Sequence, residues 1–278
     1  MYHFDSHVHT KYSFDGARDG SGEIDAIAQT AIDRGLNEIS LCDHCDIDDI
    51  LDGIYPAYPL ADLQRELASA KERWAGKLRI NFGIELGQPH ARPEESRKLL
   101  AEGGFDFVIG SLHNLRGYPD FSFLKLERMP PEQIDYLIRR AISEQIEVAE
   151  FDAADGRVGV HTLAHITYIQ RYMTLAGVEF DHRPYIDEFS RLLQTVIDRG
   201  IALEVNTSGL RRNSITMPGR ELLELYRSLG GELITLGSDA HTARDVGANL
   251  DDAADMLRDI GFKWQAVVRE GKIEAVAL

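Results

Sequence analysis

Along the 278 residues, short runs of β-branched and apolar residues alternate with longer segments whose apolar positions recur every three or four residues. The first kind reads as buried strands and the second as amphipathic helices. Strands are predicted over Tyr2–Val8, Asn37–Cys42, Arg79–Leu86, Phe105–Leu112, Val158–Ala164, Ile201–Val205 and Leu233–Gly237. Helices are predicted over Gly22–Arg34, Leu60–Trp74, Pro93–Ala101, Pro131–Ala149, Pro184–Arg199, Pro218–Ser228 and Asn249–Ile260. Pro93, Pro131, Pro184 and Pro218 stand where a first helical turn tolerates a missing N–H. Gly35 and Gly200 stand where a helix ends on a left-handed residue. Strand and helix alternate seven times, the pattern of parallel strands joined by helical crossovers. Such units either close into a barrel or stay open as a doubly wound sheet.

Polar residues at the ends of the apolar runs decide between the two. His7-Val8-His9 ends the first strand, and Asp15 follows in a turn-like Ser13-Phe14-Asp15-Gly16. Asp43-His44 ends the second, and Glu85, between Gly83 and Gly87, ends the third. His113, His165 and Asp239-Ala240-His241 follow the fourth, fifth and seventh. One histidine at a strand end is more often a hydrogen-bonded core group than a ligand. Six strand ends in register are not explained that way. An open sheet draws its site from the few strands near a switch point, so this distribution favours a closed α/β barrel. With no linker or low-complexity stretch, residues 1–278 read as a single domain.

Imidazole and carboxylate donors without thiolate suit a divalent ion such as Zn, Mn or Fe. His3, His90, His161 and His182 fall outside the pattern and read as structural or surface groups. His161 shares a strand with His165, but four residues along a strand separate them by about 13 Å. Cys42-x-x-Cys45 is expected to be inert, because no helix is predicted to open behind it and activate a thiol. The sixth strand offers no ligand. It runs into Asn206-Thr207-Ser208-Gly209-Leu210-Arg211, and Arg171 follows the fifth. Arg171 and Arg211 are expected in loops beside the site, where a guanidinium fork suits phosphate.

Composition narrows the partners. The net charge of −16 argues against nucleic acid but leaves room for a small phosphorylated substrate in a locally positive pocket. No signal peptide is visible and no apolar stretch approaches ~20 residues, so no membrane partner is expected and the cytoplasm is the expected location. The oligomeric state stays open.

Together, His7-Val8-His9, Asp43-His44, Gly83-Ile84-Glu85, Ser111-Leu112-His113, Ala164-His165 and Ser238-Asp239-Ala240-His241 resemble the PHP (polymerase and histidinol phosphatase) superfamily. The resemblance implies a distorted (βα)7 barrel of the TIM-like kind with three divalent metal ions. It implies one ion on His7, His9, Glu85 and Asp239, a second on Asp15, His44 and His241, and a third on Glu85, His113 and His165. Ser13-x-Asp15-Gly16, Arg171-Tyr172 and the Asn206–Arg211 stretch are similar to the histidinol-phosphatase branch. That branch implies hydrolysis of L-histidinol phosphate, a step of histidine biosynthesis, by a hydroxide shared between metals. Arg171 and Arg211 would hold the phosphate, Asn206 and His113 would line its pocket, and Asp239 is a candidate proton donor. Asn114–Phe121 departs from the branch. Another small phosphate ester such as a nucleotide, a nuclease activity and a non-catalytic metal-binding role remain as alternatives.

Overall fold

The computed structural model describes residues 2–212, 215–269 and 271–278. Its strands are β1 (Phe4–Val8), β2 (Glu38–Leu41), β3 (His44–Asp46), β4 (Arg79–Gly87), β5 (Phe107–Ser111), β6 (Thr162–Leu163), β7 (Ala202–Asn206), β8 (Ile234–Gly237), β9 (Trp264–Arg269) and β10 (Lys272–Ala277). Its helices are α1 (Ile24–Asp33), α2 (Ile47–Leu51), α3 (Leu60–Arg73), α4 (Pro93–Gly103), α5 (Pro131–Ala149), α6 (Tyr168–Leu175), α7 (Ile186–Asp198), α8 (Ser208–Arg212), α9 (Arg220–Ser228) and α10 (Leu250–Ile260).

The strands β1-β2-β4-β5-β6-β7-β8 pair in that order, all in parallel. The ring closes where β1 meets the residues after β8: His9 N donates to Ala240 O at 2.8 Å and Asp239 N to His7 O at 2.8 Å. The expected seven-membered α/β barrel is therefore the fold.

Strand alternation sets up two cores. Ile80, Phe82, Ile84 and Leu86 of β4 face outward into a large cluster with helix residues such as Leu67, Leu137, Leu192 and Leu257. Asn81, Gly83 and Glu85 take the inward positions. The barrel interior is a smaller cluster of Cys42, Phe107, Ile109, Ala164 and Val268. Thr162 and Thr235 join across it by a hydroxyl hydrogen bond of 2.8 Å.

Several local features depart from the pattern read along the chain. The second strand breaks at Cys42-Asp43 and resumes as β3, yet both parts keep one register on β4, with Leu41 opposite Phe82 and His44 opposite Glu85. The Cys42 sulfur fills the space over Gly83, where an added Cβ would lie 2.3 Å from it. The fifth strand shrinks to two residues, because Val158 bridges back to Asp152 and Gly159 packs on Phe151. Pro184 falls in a 3-10 turn and Pro218 precedes α9 by two residues, whereas Pro93 and Pro131 open their helices as expected. Finally, the antiparallel hairpin β9–β10 was not expected at all. It stands at the end of the barrel where the strands begin. There Gln265 donates to Tyr2 O, and Arg269 binds Glu38 and the Tyr2 hydroxyl.

Candidate metal centre

At the other end of the barrel, the C-terminal ends of the strands deliver nine side chains to one place. Glu85 is the hub, fully buried. Its Oε2 lies 2.6 Å from His44 Nδ1, 3.3 Å from His7 Nε2 and 3.5 Å from His9 Nε2. Its Oε1 lies 2.9 Å from His165 Nε2 and 3.1 Å from His113 Nε2. A second lobe forms where Asp15 Oδ2 approaches His241 Nε2 at 2.9 Å and His44 Nε2 at 3.7 Å. Asp239 Oδ1 joins the lobes, 3.2 Å from His9 Nε2 and 3.6 Å from His241 Nδ1. Every residue expected as a ligand is thus present in the cluster. Among the described residues three overlapping donor groups emerge: His7-His9-Glu85, His44-Glu85-His113 and His9-His44-His241.

Two of the nine reach the cluster by an unusual backbone. Simple alternation would turn His165 outward with Leu163. A left-handed φ of 27° at His165 swings it in, and Asp239 has φ 52°. Non-glycine residues in that region are uncommon and concentrate at functional sites.

The donor chemistry fits a cation. His7 Nδ1 faces Glu204 Oε1 at 2.6 Å, and His113 Nδ1 faces Asp46 Oδ1 at 2.7 Å. A carboxylate only accepts, so Nδ1 of each ring carries a proton, and the neutral, metal-binding form of the ring turns a lone pair inward. The lone pair of His7 then meets His9 Nε2 at 3.0 Å, and that of His113 meets Glu85 Oε1 at 3.1 Å. His44 Nδ1 and Glu85 Oε2 are both buried without a hydrogen-bond partner among the described residues, despite their short separation. In that form His113 sets an acceptor against Glu85, an arrangement that needs a proton or a metal ion between them. Burial would keep these rings neutral, but the facing carboxylates outweigh it and hold His7, His44 and His113 well above the usual imidazole range. Burial likewise pushes Glu85 up, and the cations at His44, His7 and His113 hold it well below the usual carboxylate range. A divalent ion satisfies the same atoms more strongly than shared protons.

Glu204 and Asp46 were not anticipated as supporting groups, nor was Asp43, named only within its motif, which accepts from Thr10 N at 2.6 Å and Thr10 Oγ1 at 2.7 Å. Asp5, which receives Ser238 N at 2.8 Å and Gly247 N at 2.7 Å, is another. Their signal is the strand period: Asp5, Asp46 and Glu204 each sit two residues from an inward-facing site residue, on the same face.

Arg171 and Arg211, expected in loops, stand on the short helices α6 and α8. Arg171 is buried, bonded to Ser208 Oγ and 3.4 Å from Asp239 Oδ2, with its guanidinium over the Tyr168 ring. Arg211 donates to Ser238 O at 2.8 Å. Asn206 reaches the region but is engaged on both ends, by Glu204 at 3.2 Å and by Ser208. His161 stays apart, accepting from Val108 N at 2.9 Å. His3, His90 and His182 pair with Asp251, Glu144 and Glu221 away from the centre. A short helix, α2, does open behind Cys45, contrary to expectation. Both cysteines nonetheless precede it, fully buried, and burial pushes both thiols up. The Asn114–Phe121 segment is tied to its surroundings: Asn114 donates to Asp48 at 3.0 Å and Phe121 N to His113 O at 2.9 Å.

The PHP domain model matches residues 5–208, most of the chain. The chain belongs to the PHP family. Among curated relatives, the histidinol-phosphatase of Lactococcus lactis is 26% identical over 281 residues, covering 99% of this chain and 97% of its own. The Bacillus subtilis histidinol-phosphatase is 28% identical over 264 residues, covering 87% of this chain and 95% of its own. The probable histidinol-phosphatase of Clostridium acetobutylicum is 24% identical over 263 residues, with 94% of each covered. The PHP fold is shared with the crystal structure of the L. lactis enzyme complexed with zinc, L-histidinol and phosphate. That match has a TM-score of 0.78 at 21% identity and covers 98% of both chains. Among the described residues no helix is long and apolar enough to cross a membrane.

Proposed function

We propose that this PHP protein is a metal-dependent phosphate monoesterase that hydrolyses L-histidinol phosphate to L-histidinol and phosphate. The observation that carries the reading is the buried Arg171 guanidinium placed beside Asp239, at the edge of a nine-donor centre built on Glu85. Full-length likeness to several histidinol-phosphatases supports the substrate.

Three divalent ions are assigned here to the donor sets of His7, His9, Glu85 and Asp239; of Asp15, His44 and His241; and of Glu85, His113 and His165. When bound, such ions supply a water acidic enough to act as nucleophile near neutral pH and Lewis acidity toward the phosphoryl oxygens. The remaining work falls to the chain. Arg171, whose Nε is buried without a partner among the described residues, donates to the phosphate, and Arg211 closes on it from α8. Asp239 serves as a ligand. Burial pushes its carboxyl up, but the His9 bond and the charges of His7, His241 and Arg171 hold it well below the usual range, so it is ionised and a poor donor. Tyr168, 5.0 Å from both His113 and His165 by ring centroids, walls the pocket and excludes water.

Phosphate release from L-histidinol phosphate, p-nitrophenyl phosphate and nucleoside monophosphates, measured on metal-loaded protein, tests the reading. L-histidinol phosphate is expected to have the highest kcat/KM. Arg171→Ala and Arg211→Ala are each expected to lower it by about 10–100-fold, the scale of a charge-assisted contact. A nucleotide turned over more efficiently than L-histidinol phosphate would reject the substrate.

A further inference from the structure

Strand β7 gives no ligand to the centre, yet its end touches both halves of it. Glu204, Asn206 and Ser208 are all buried and linked in sequence. Glu204 Oε1 takes His7 Nδ1 at 2.6 Å, while Oε2 accepts His165 N at 3.0 Å and Asn206 Nδ2 at 3.2 Å. Asn206 Oδ1 accepts Ser208 N at 3.0 Å and Ser208 Oγ at 2.6 Å. Ser208 Oγ also lies 3.0 Å from Asp239 Oδ2 and receives Arg171.

Each link has one workable polarity. The Asn206 amide cannot turn over, because its oxygen would then face a carboxylate and its NH2 the Ser208 N–H. Arg171 can only donate, so Ser208 accepts from it and gives its own proton to Asn206 or Asp239. Gly237 clears the space: a Cβ there would lie 2.6 Å from both Glu204 Oε1 and His7 Cβ. Without the Ser208 hydroxyl, Arg171 keeps only a 3.4 Å approach to Asp239 and its stacking over Tyr168.

We propose that Glu204, Asn206 and Ser208 form one positioning string that fixes the His7 tautomer at one end and the Arg171–Asp239 pair at the other. The string sets the distance between the metal centre and the group that receives phosphate. Its phosphate end rests on the role given above to Arg171, and its metal end on the ligand role given above to His7.

Two variants separate the ends. In Glu204→Gln, either amide orientation sets an NH2 against a donor, His7 Nδ1–H or His165 N–H. Chelator competition is expected to show metal retention weakened about 10–100-fold, the scale for partners behind histidine ligands. Inorganic phosphate binding by calorimetry, at saturating metal, should stay near wild type. In Ser208→Ala, metal content should match wild type while inorganic phosphate binds about 10-fold more weakly. Ser208→Thr, which keeps the hydroxyl, should restore it. The string is rejected if Ser208→Ala binds phosphate as wild type does, or if Glu204→Gln retains metal as tightly. It is equally rejected if both variants lose metal, phosphate and thermal stability in parallel, which marks a packing role. Failure of wild-type protein to turn over L-histidinol phosphate would instead sink the phosphatase reading and leave the metal arm readable.

Discussion

Glu85 shows what one residue decides here. Its two oxygens divide five histidines into those of β1 and the β2–β3 break on one side and those after β5 and β6 on the other. Glu85→Gln keeps the shape but removes the charge and turns an NH2 toward imidazole nitrogens. Metal affinity is expected to fall by more than ~100-fold, beyond the loss typical of groups behind the ligands. Elemental analysis after gel filtration, showing wild-type metal content, would refute that. Apart from Asp15, which stands in a turn, the ligands could be found in the sequence because each lies at the end of an apolar run, where a buried polar group needs a reason. Glu204 and Asp46 could not be found so easily. An acid at an inward position of a short strand reads like any polar residue in an alternating pattern. Only the ring that it meets, from a different strand, gives it meaning.

Among the elements, the long helices and the seven strands follow from apolar period and turn residues. The β2–β3 break does not, because Cys42-Asp43 contains no glycine or proline. The break depends on Gly83 of the neighbouring strand leaving room for a sulfur. β6 illustrates the same dependence on contact. His161, just before it, uses a ring nitrogen to accept the Val108 N–H, and burial, helped by the charge of Arg157, lowers its pKa to about 4. The neutral ring therefore stabilises the fold fully above its ordinary pKa of 6.5. That stabilisation is lost as pH falls from there toward 4, because the unfolded chain binds the proton first. In His161→Asn, whose side-chain oxygen can still accept, this contribution is absent. Urea unfolding at stepped pH should show the wild-type advantage over the variant shrinking across that interval. A constant difference between the two would contradict the assignment.

At the scale of the whole molecule, the centre ties six of the seven strand positions to one another through polar atoms. Stability should then depend on metal. Chelation is expected to lower Tm by about 5–10 °C, taking ~2.7 kcal/mol for metal at a hundred times its dissociation constant in a domain of this size. Acid should erase the difference, since protonated imidazoles release metal. Calorimetric scans with and without chelator at pH 8 and pH 5.5 measure both effects, and identical scans at pH 8 would rule out a stabilising centre.

The β9–β10 hairpin has its own consequence, for the order in which the chain is made. Val268 completes the interior cluster of Cys42, Phe107, Ile109 and Ala164, and the hairpin ties down Tyr2 and Glu38 at the start of the first two strands. On a ribosome these residues emerge after every barrel strand has left the tunnel. Any barrel formed before then would lack the Val268 cover over its apolar floor. Such exposed surface is what chaperones bind. A few residues remote from the chemistry thus complete the base of a barrel whose ring β1 and the residues after β8 close.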